Sequence, residues 1–151
     1  MNHSYFLDSD IDINSSSYET RKNVIRDLKK FTQTESIAID QLVTKNPISE
    51  ILSRRCKLND DVISFVANQF FKAHEDKLNI IAVGGYGRSE LYPKSDTDLL
   101  ILLRKNSKND LKNDISKFLK ILYLGSPEIL KINFVLFFTI FEIIIGKEVI
   151  K

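Results

Sequence analysis

The 151-residue chain has little of what most metal and redox sites are built from. It has one cysteine and two histidines, and no tryptophan. A lone Cys56 cannot form an internal disulfide and has no second cysteine at metal-ligand spacing. His3 and His74 lie far apart in sequence, which argues against a histidine-based zinc site. Charge of one sign is also missing. Lysine plus arginine number 22 against 20 acidic residues, a formal net charge of +2. That selects no polyanionic partner, so no nucleic acid is expected. Residues 1–17 have neither a basic start nor an apolar middle, so they do not read as a signal peptide. The most apolar run, Ile132 to Ile145, is shorter than the roughly 20 residues of a membrane span and contains Glu142. Membrane insertion is therefore not expected, and a cytoplasmic setting is.

The remaining pattern is that of one domain. Residues 1–17 read as a flexible tail and residues 18–77 as a helical region. Ser16 and Glu19 have the spacing of a capping box, followed by Val24, Ile25, Leu28 and Phe31 on one helical face. The basic residues around that face suit either a solvated surface or an acidic partner. Asn46-Pro47 marks a second helix start, with Asn46 as cap. Helical spacing then runs to about His74, with a disturbance expected near Leu58-Asn59. Asn79–Val83 and Thr97–Leu103 read as strands, with a helical turn between them over Tyr86–Leu91. A last amphipathic helix runs from Leu111 to about Gly125.

The stretch IIAVGGYGRSELYPKSDTDLLILL, residues 80–103, carries the chemistry. Asp96 and Asp98 are two apart, so on a strand they share a face. Paired carboxylates repel unless a cation joins them, and hard oxygen ligands suit Mg²⁺, whose remaining positions phosphate and water fill. Gly84, Gly85 and Gly87 follow a strand and allow close backbone approach to a ligand. Arg88 suits a phosphate contact. The blander reading is a solvated turn, and the buried run Leu99–Leu103 weighs against it. A dinucleotide fingerprint fails because Glu90 stands where a small residue is needed. A P-loop fails because Gly87 is followed by Arg88-Ser89.

The order strand, Gly84-Gly85, short helix, Asp96-x-Asp98 resembles the polymerase-β-type nucleotidyltransferases. More narrowly, AVGGYGRSELYPKSDTDLLIL, residues 82–102, resembles the core of the bacterial bifunctional protein-PII uridylyltransferase/uridylyl-removing enzymes. The dense part is confined to this stretch, and the looser likeness covers about residues 20–124. The resemblance implies an α+β fold: a small mixed sheet packed by helices and preceded by two N-terminal helices. It implies Mg²⁺ on Asp96 and Asp98, and UTP held by Gly84 and Gly85 with Arg88 and Ser95 as further nucleotide contacts. The implied acceptor is a tyrosine of the nitrogen-regulatory protein PII.

Ser89 and Thr97 depart from the family pattern. Residues 78–124 read as the partial transferase core. Residues 125–151 read as an apolar, non-family tail, which suggests a truncated form without the phosphohydrolase and ligand-sensing domains of the longer family members. Glu128 and Glu142 are the candidates for a third metal carboxylate. Two other readings remain: a stand-alone nucleotidyltransferase with another acceptor, such as an antibiotic or RNA, and a binding remnant without turnover.

Overall fold

A computed structural model describes residues 13–14, 16–104, 108–126 and 132–135, of which 108–110 and 132–135 are described by backbone alone. Helices α1 (Tyr18–Gln41) and α2 (Ile48–Phe71) come first, and α2 runs into a 3₁₀ turn at Lys72–His74. Strand β1 (Leu78–Ala82), the single helical turn α3 (Gly84–Gly87) and strand β2 (Thr97–Leu103) follow. Helix α4 (Lys108–Gly125) and strand β3 (Ile132–Val135) complete the described elements.

The sheet is mixed, in the order β1-β2-β3. β1 and β2 are antiparallel, with Leu78 opposite Leu103 and Ala82 opposite Leu99. β2 and β3 are parallel, with Thr97 opposite Ile132 and Asp98 opposite Asn133. Parallel neighbours need a crossover, and α4 supplies it. Burial alternates along β2: Thr97, Leu99, Ile101 and Leu103 are buried, while Asp98, Leu100 and Leu102 are half-buried. One face of the sheet therefore joins the core, and Asp98 lies on the other.

The core is made where α1, α2 and α4 meet the sheet. Leu28, Ile51, Val62, Val66, Leu99, Leu111, Phe118 and Leu122 form its most buried part. Phe118 of α4 meets Phe71 of α2 edge-on, with ring centroids 5.2 Å apart. This is the arrangement aromatic quadrupoles favour. A Cβ on Gly125 would run into the Leu28 side chain, so glycine is what lets the end of α4 approach α1 closely. Thr32 is buried in the same contact, its hydroxyl shared between Lys29 O at 3.0 Å and Gly125 O at 3.4 Å.

Several local expectations shift. The tail is anchored at its inner end. Ile13 is fully buried, its N–H donates to Gln69 Oε1 at 3.3 Å, and Asn14 Oδ1 accepts from Lys117 Nζ at 2.8 Å. Burial of the isoleucine side chain offsets part of the freedom the chain loses there. The helix cap is Ser17 rather than Ser16. Ser17 is extended, and its Oγ accepts from Thr20 N at 3.2 Å, while Ser16 Oγ donates to Ile13 O. At α2 the cap position is Pro47, and Asn46 bonds the Glu50 carboxylate at 2.8 Å. α2 passes through Leu58-Asn59 unbroken. Asn59 spends its side chain on a distant partner instead of competing with its own backbone.

Candidate nucleotide site

The two halves of the candidate site meet where β1 ends. Val83 N–H donates to Asp98 O at 3.0 Å, which carries the β1–β2 pairing one step past the strand. The next residue, Gly84, has φ +61. A side chain is strained in that left-handed region. Gly84 also faces the Asp98 carboxylate so closely that a Cβ would overlap Oδ2. Glycine is therefore required twice at this position, once for its dihedral and once to leave room for the carboxylate.

α3 turns from this point. Gly87 N–H donates to Val83 O at 3.0 Å as its first helical bond, so the amides of Gly84, Gly85 and Tyr86 have no intrahelical acceptor. The turn comes earlier than the expected Tyr86–Leu91. Ser89, at φ 59, ends it, and Glu90 N–H returns to Gly85 O at 2.9 Å. Gly87 serves packing rather than a ligand: a Cβ there would come within 2.6 Å of the Ala82 carbonyl oxygen. The Gly-Gly-Tyr-Gly stretch thus holds one glycine at the carboxylate, one within the helical turn and one pressed on the strand.

The sequence-predicted residues divide accordingly. Asp98 is half-buried and lies against Gly84. Asp96 is exposed and stands one residue before β2, with Gly85 half-buried within α3. Arg88 is exposed, and its Nε pairs with Glu90 Oε2 at 3.0 Å. Ser95 is half-buried and lines a cavity of about 20 Å³ with Ser36, Arg55, Asn59, Tyr92 and Lys94. Among the described residues no group of three or more His, Cys, Asp or Glu gathers in metal-binding geometry. Glu128 and Glu142 lie outside the described residues. The donor set at hand, two carboxylates two residues apart with one against a glycine turn, suits a hard cation that shares its shell with phosphate.

α2 braces both halves from behind. Asn59, fully buried, donates through Nδ2 to Thr97 Oγ1 at 2.9 Å, and Thr97 sits between the two aspartates. Asp60 accepts a hydrogen bond from the Tyr86 hydroxyl. Tyr86 is 5% exposed, and burial, followed by the Asp60 carboxylate, pushes its phenol well above the usual range. Cys56, one turn earlier, is also pushed up, chiefly by burial. Motif reading passed over these residues. The signal available was Asn59 itself, a polar residue on the apolar stripe of Cys56, Val62 and Val66.

The comparisons agree with this geometry. The family described as "Nucleotidyltransferase domain" matches residues 66–145, a span that takes in β1, the glycine turn, both aspartates, α4 and β3. The match continues past Tyr123, where the resemblance to the uridylyltransferase motif ends, so residues 125–145 are not foreign to the family. Curated proteins named bifunctional uridylyltransferase/uridylyl-removing enzyme are similar over about half to two thirds of this chain. The one from Pseudoalteromonas translucida is 34% identical over 53% of this chain and 9% of its own length. One from Pseudomonas putida is 40% identical over 50% of this chain and 8% of its own length. That of Pseudomonas savastanoi pv. phaseolicola is 30% identical over 63% of this chain and 11% of its own. The chain thus spans about a tenth of the length of these relatives. No solved structure matches. A glycine turn set against a strand-borne aspartate, within a match over more than half of the sequence, places the chain in the nucleotidyltransferase domain family.

Proposed function

We propose that this chain binds UTP at the Gly84–Asp98 junction and transfers UMP to a tyrosine hydroxyl of the signalling protein PII. The observation that carries the reading is the contact of the Asp98 carboxylate with the backbone of Gly84, because it brings cation ligand and phosphate cradle within one turn of each other. Mg²⁺ bound by Asp96 and Asp98 would neutralise charge on the triphosphate. The amides of Gly84 and Gly85 orient the phosphates, and Asp98, held by the sheet, fixes where the α-phosphate stands. The acceptor oxygen forms a bond to the α-phosphorus, the bond to the β-phosphate bridging oxygen breaks, pyrophosphate leaves, and the hydroxyl proton passes to solvent. Arg88 and Ser95 are assigned outer nucleotide contacts, Arg88 by exchanging Glu90 for phosphate. The names of the relatives support UMP as the group transferred. The single Cys56 and the absence, among the described residues, of a helix apolar enough to cross a membrane suit the cytoplasm where PII would be met.

A second reading, nucleotide binding without turnover, draws on β3. β3 places an asparagine, Asn133, and not an acidic residue at the register position beside Asp98. One experiment separates the two. The chain is incubated with labelled UTP, Mg²⁺ and PII, in parallel with Asp98→Asn. Label on PII that vanishes in the variant supports transfer. Heat protection by UTP and Mg²⁺ without label on PII supports the binding-only reading. Absence of both label and protection refutes both.

A further inference from the structure

We propose that the adjacent residues Asn59 and Asp60 of α2 are positioning residues that set the two halves of the nucleotide site independently: Asn59 the aspartate strand, Asp60 the glycine turn. The inference rests on the nucleotide-site reading above and adds to it the residues that hold that site in register.

β3 registers with Thr97 and Asp98 on one edge of β2, but on the β1 side the aspartates run past the strand pairing. Pairing with β1 ends at Ala82–Leu99 and the single added bond from Val83 to Asp98 O. At Thr97 the β1 side of the sheet has already turned away into Gly84. The side chain between the two carboxylates is held from the helix layer, by Asn59 Nδ2 to Thr97 Oγ1 at 2.9 Å, with both residues fully buried. The second carboxamide atom of Asn59, Oδ1, has no protein hydrogen-bond partner, and the residue lines the cavity of about 20 Å³. What asparagine provides there and leucine would not is the directed bond to Thr97.

The glycine turn has the complementary need. α3 is one turn long and has few bonds of its own. Its central residue, Tyr86, is buried and bonded through its hydroxyl to Asp60, which is itself exposed at the rim. Consecutive helix residues project about 100° apart, so Asn59 and Asp60 reach in different directions from one rigid element. The distance between the carboxylates and the phosphate cradle is thereby fixed through α2 as well as through the Val83–Asp98 bond and the loop at 88–95.

The two anchors predict a separation that general weakening of the fold would not produce. UTP binding to the full chain is measured by calorimetry across a range of MgCl₂ concentrations. Thr97→Val and Asn59→Leu are expected to raise the Mg²⁺ concentration for half-maximal UTP binding about fivefold or more, as expected for a misplaced charge-assisted ligand. They should leave UTP affinity at saturating Mg²⁺ within about twofold, and Thr97→Ser should restore the wild-type Mg²⁺ dependence. Tyr86→Phe and Asp60→Ala are expected to do the reverse. Variants that move both quantities together, or neither, overturn the proposal; Thr97→Ser and Tyr86→Phe are small enough changes to keep the fold. Hydrogen exchange provides the second arm. Asp60→Ala should speed exchange at residues 84–88 and not at 97–99, and Asn59→Leu the converse. A wild-type chain that binds no UTP refutes the nucleotide reading instead. In that event the exchange data alone decide whether α2 holds the two segments, and unchanged exchange overturns it.

Discussion

At the scale of the residue, Gly84 is the most constrained position in the described structure. A side chain there meets two independent objections, the left-handed dihedral and the Asp98 carboxylate. The first costs about 1–2 kcal/mol. The second can be relieved only by moving the carboxylate. Gly84→Ala should therefore lower stability by about 1–3 kcal/mol in urea denaturation and weaken Mg²⁺–UTP binding more than its stability loss explains. An alanine variant with wild-type binding would show that Asp98 is free to rotate away without consequence. Tyr86 gives a pH prediction. Its phenol titrates higher in the folded chain than in the unfolded one, because burial and the Asp60 carboxylate disfavour the phenolate. Its stabilising contribution is complete below the unfolded value of about 10 and declines as pH rises from there toward the folded value. Cys56, raised by burial, acts in the same direction starting from a lower pH. The urea midpoint should fall above about pH 9, and Tyr86→Phe should fall less steeply between about pH 10 and 11.5. Parallel curves for the two proteins would remove Tyr86 as a source of the slope.

At the scale of the element, the helix layer holds the sheet, and Phe118 is its centre. Phe118 is fully buried between α2 and α4 and meets the Phe71 ring. Phe118→Ala should cost about 3–5 kcal/mol, the range for a large aromatic removed from a core that cannot collapse. Tyr123→Ala, at a position on the same helix that is 69% exposed, should cost well under 1 kcal/mol. Equal losses in chemical denaturation would mean that α4 is not packed as described. The elements were legible in the sequence where periodicity and burial coincide. β2 was read with its observed bounds, Thr97–Leu103, because a run of leucines bounded by aspartate and arginine leaves little choice. The site was legible as a motif, Gly84-Gly85 with Asp96 and Asp98. The reason for each glycine was not: Gly87 answers to Ala82 and Gly84 to Asp98, and both contacts depend on the β1–β2 register. The cap of α1 lies one residue later than the motif implies, because neighbouring serines compete for one position and only the backbone dihedral decides. Asn59 was passed over because its partner, Thr97, is 38 residues away, and no local pattern encodes a tertiary hydrogen bond.

At the scale of the whole molecule, the sheet extends toward the C-terminus past α4. The sequence pattern set residues 125–151 outside the domain, whereas the structure puts Ile132–Val135 on the edge of the sheet beside the aspartate strand. Two physical consequences follow from the place of β3 in the sheet. It covers one edge of β2, whose amides and carbonyls would otherwise template association with other chains. It also gives Asp98 a second backbone neighbour, at Asn133, on the side away from Val83. Four registered pairs join β2 to β3. At about 0.5–1.5 kcal/mol net per hydrogen bond and one hydrogen bond per registered pair, their loss amounts to roughly 2–6 kcal/mol. A chain ending at Ser126 should therefore unfold at clearly lower urea concentration than the 151-residue chain. It should also self-associate in sedimentation velocity as concentration rises, and bind Mg²⁺–UTP more weakly. A shortened chain that stays monomeric with an unchanged midpoint would place β3 outside the folded unit. The nucleotide site would then rest on the β1–β2 pair and α2 alone.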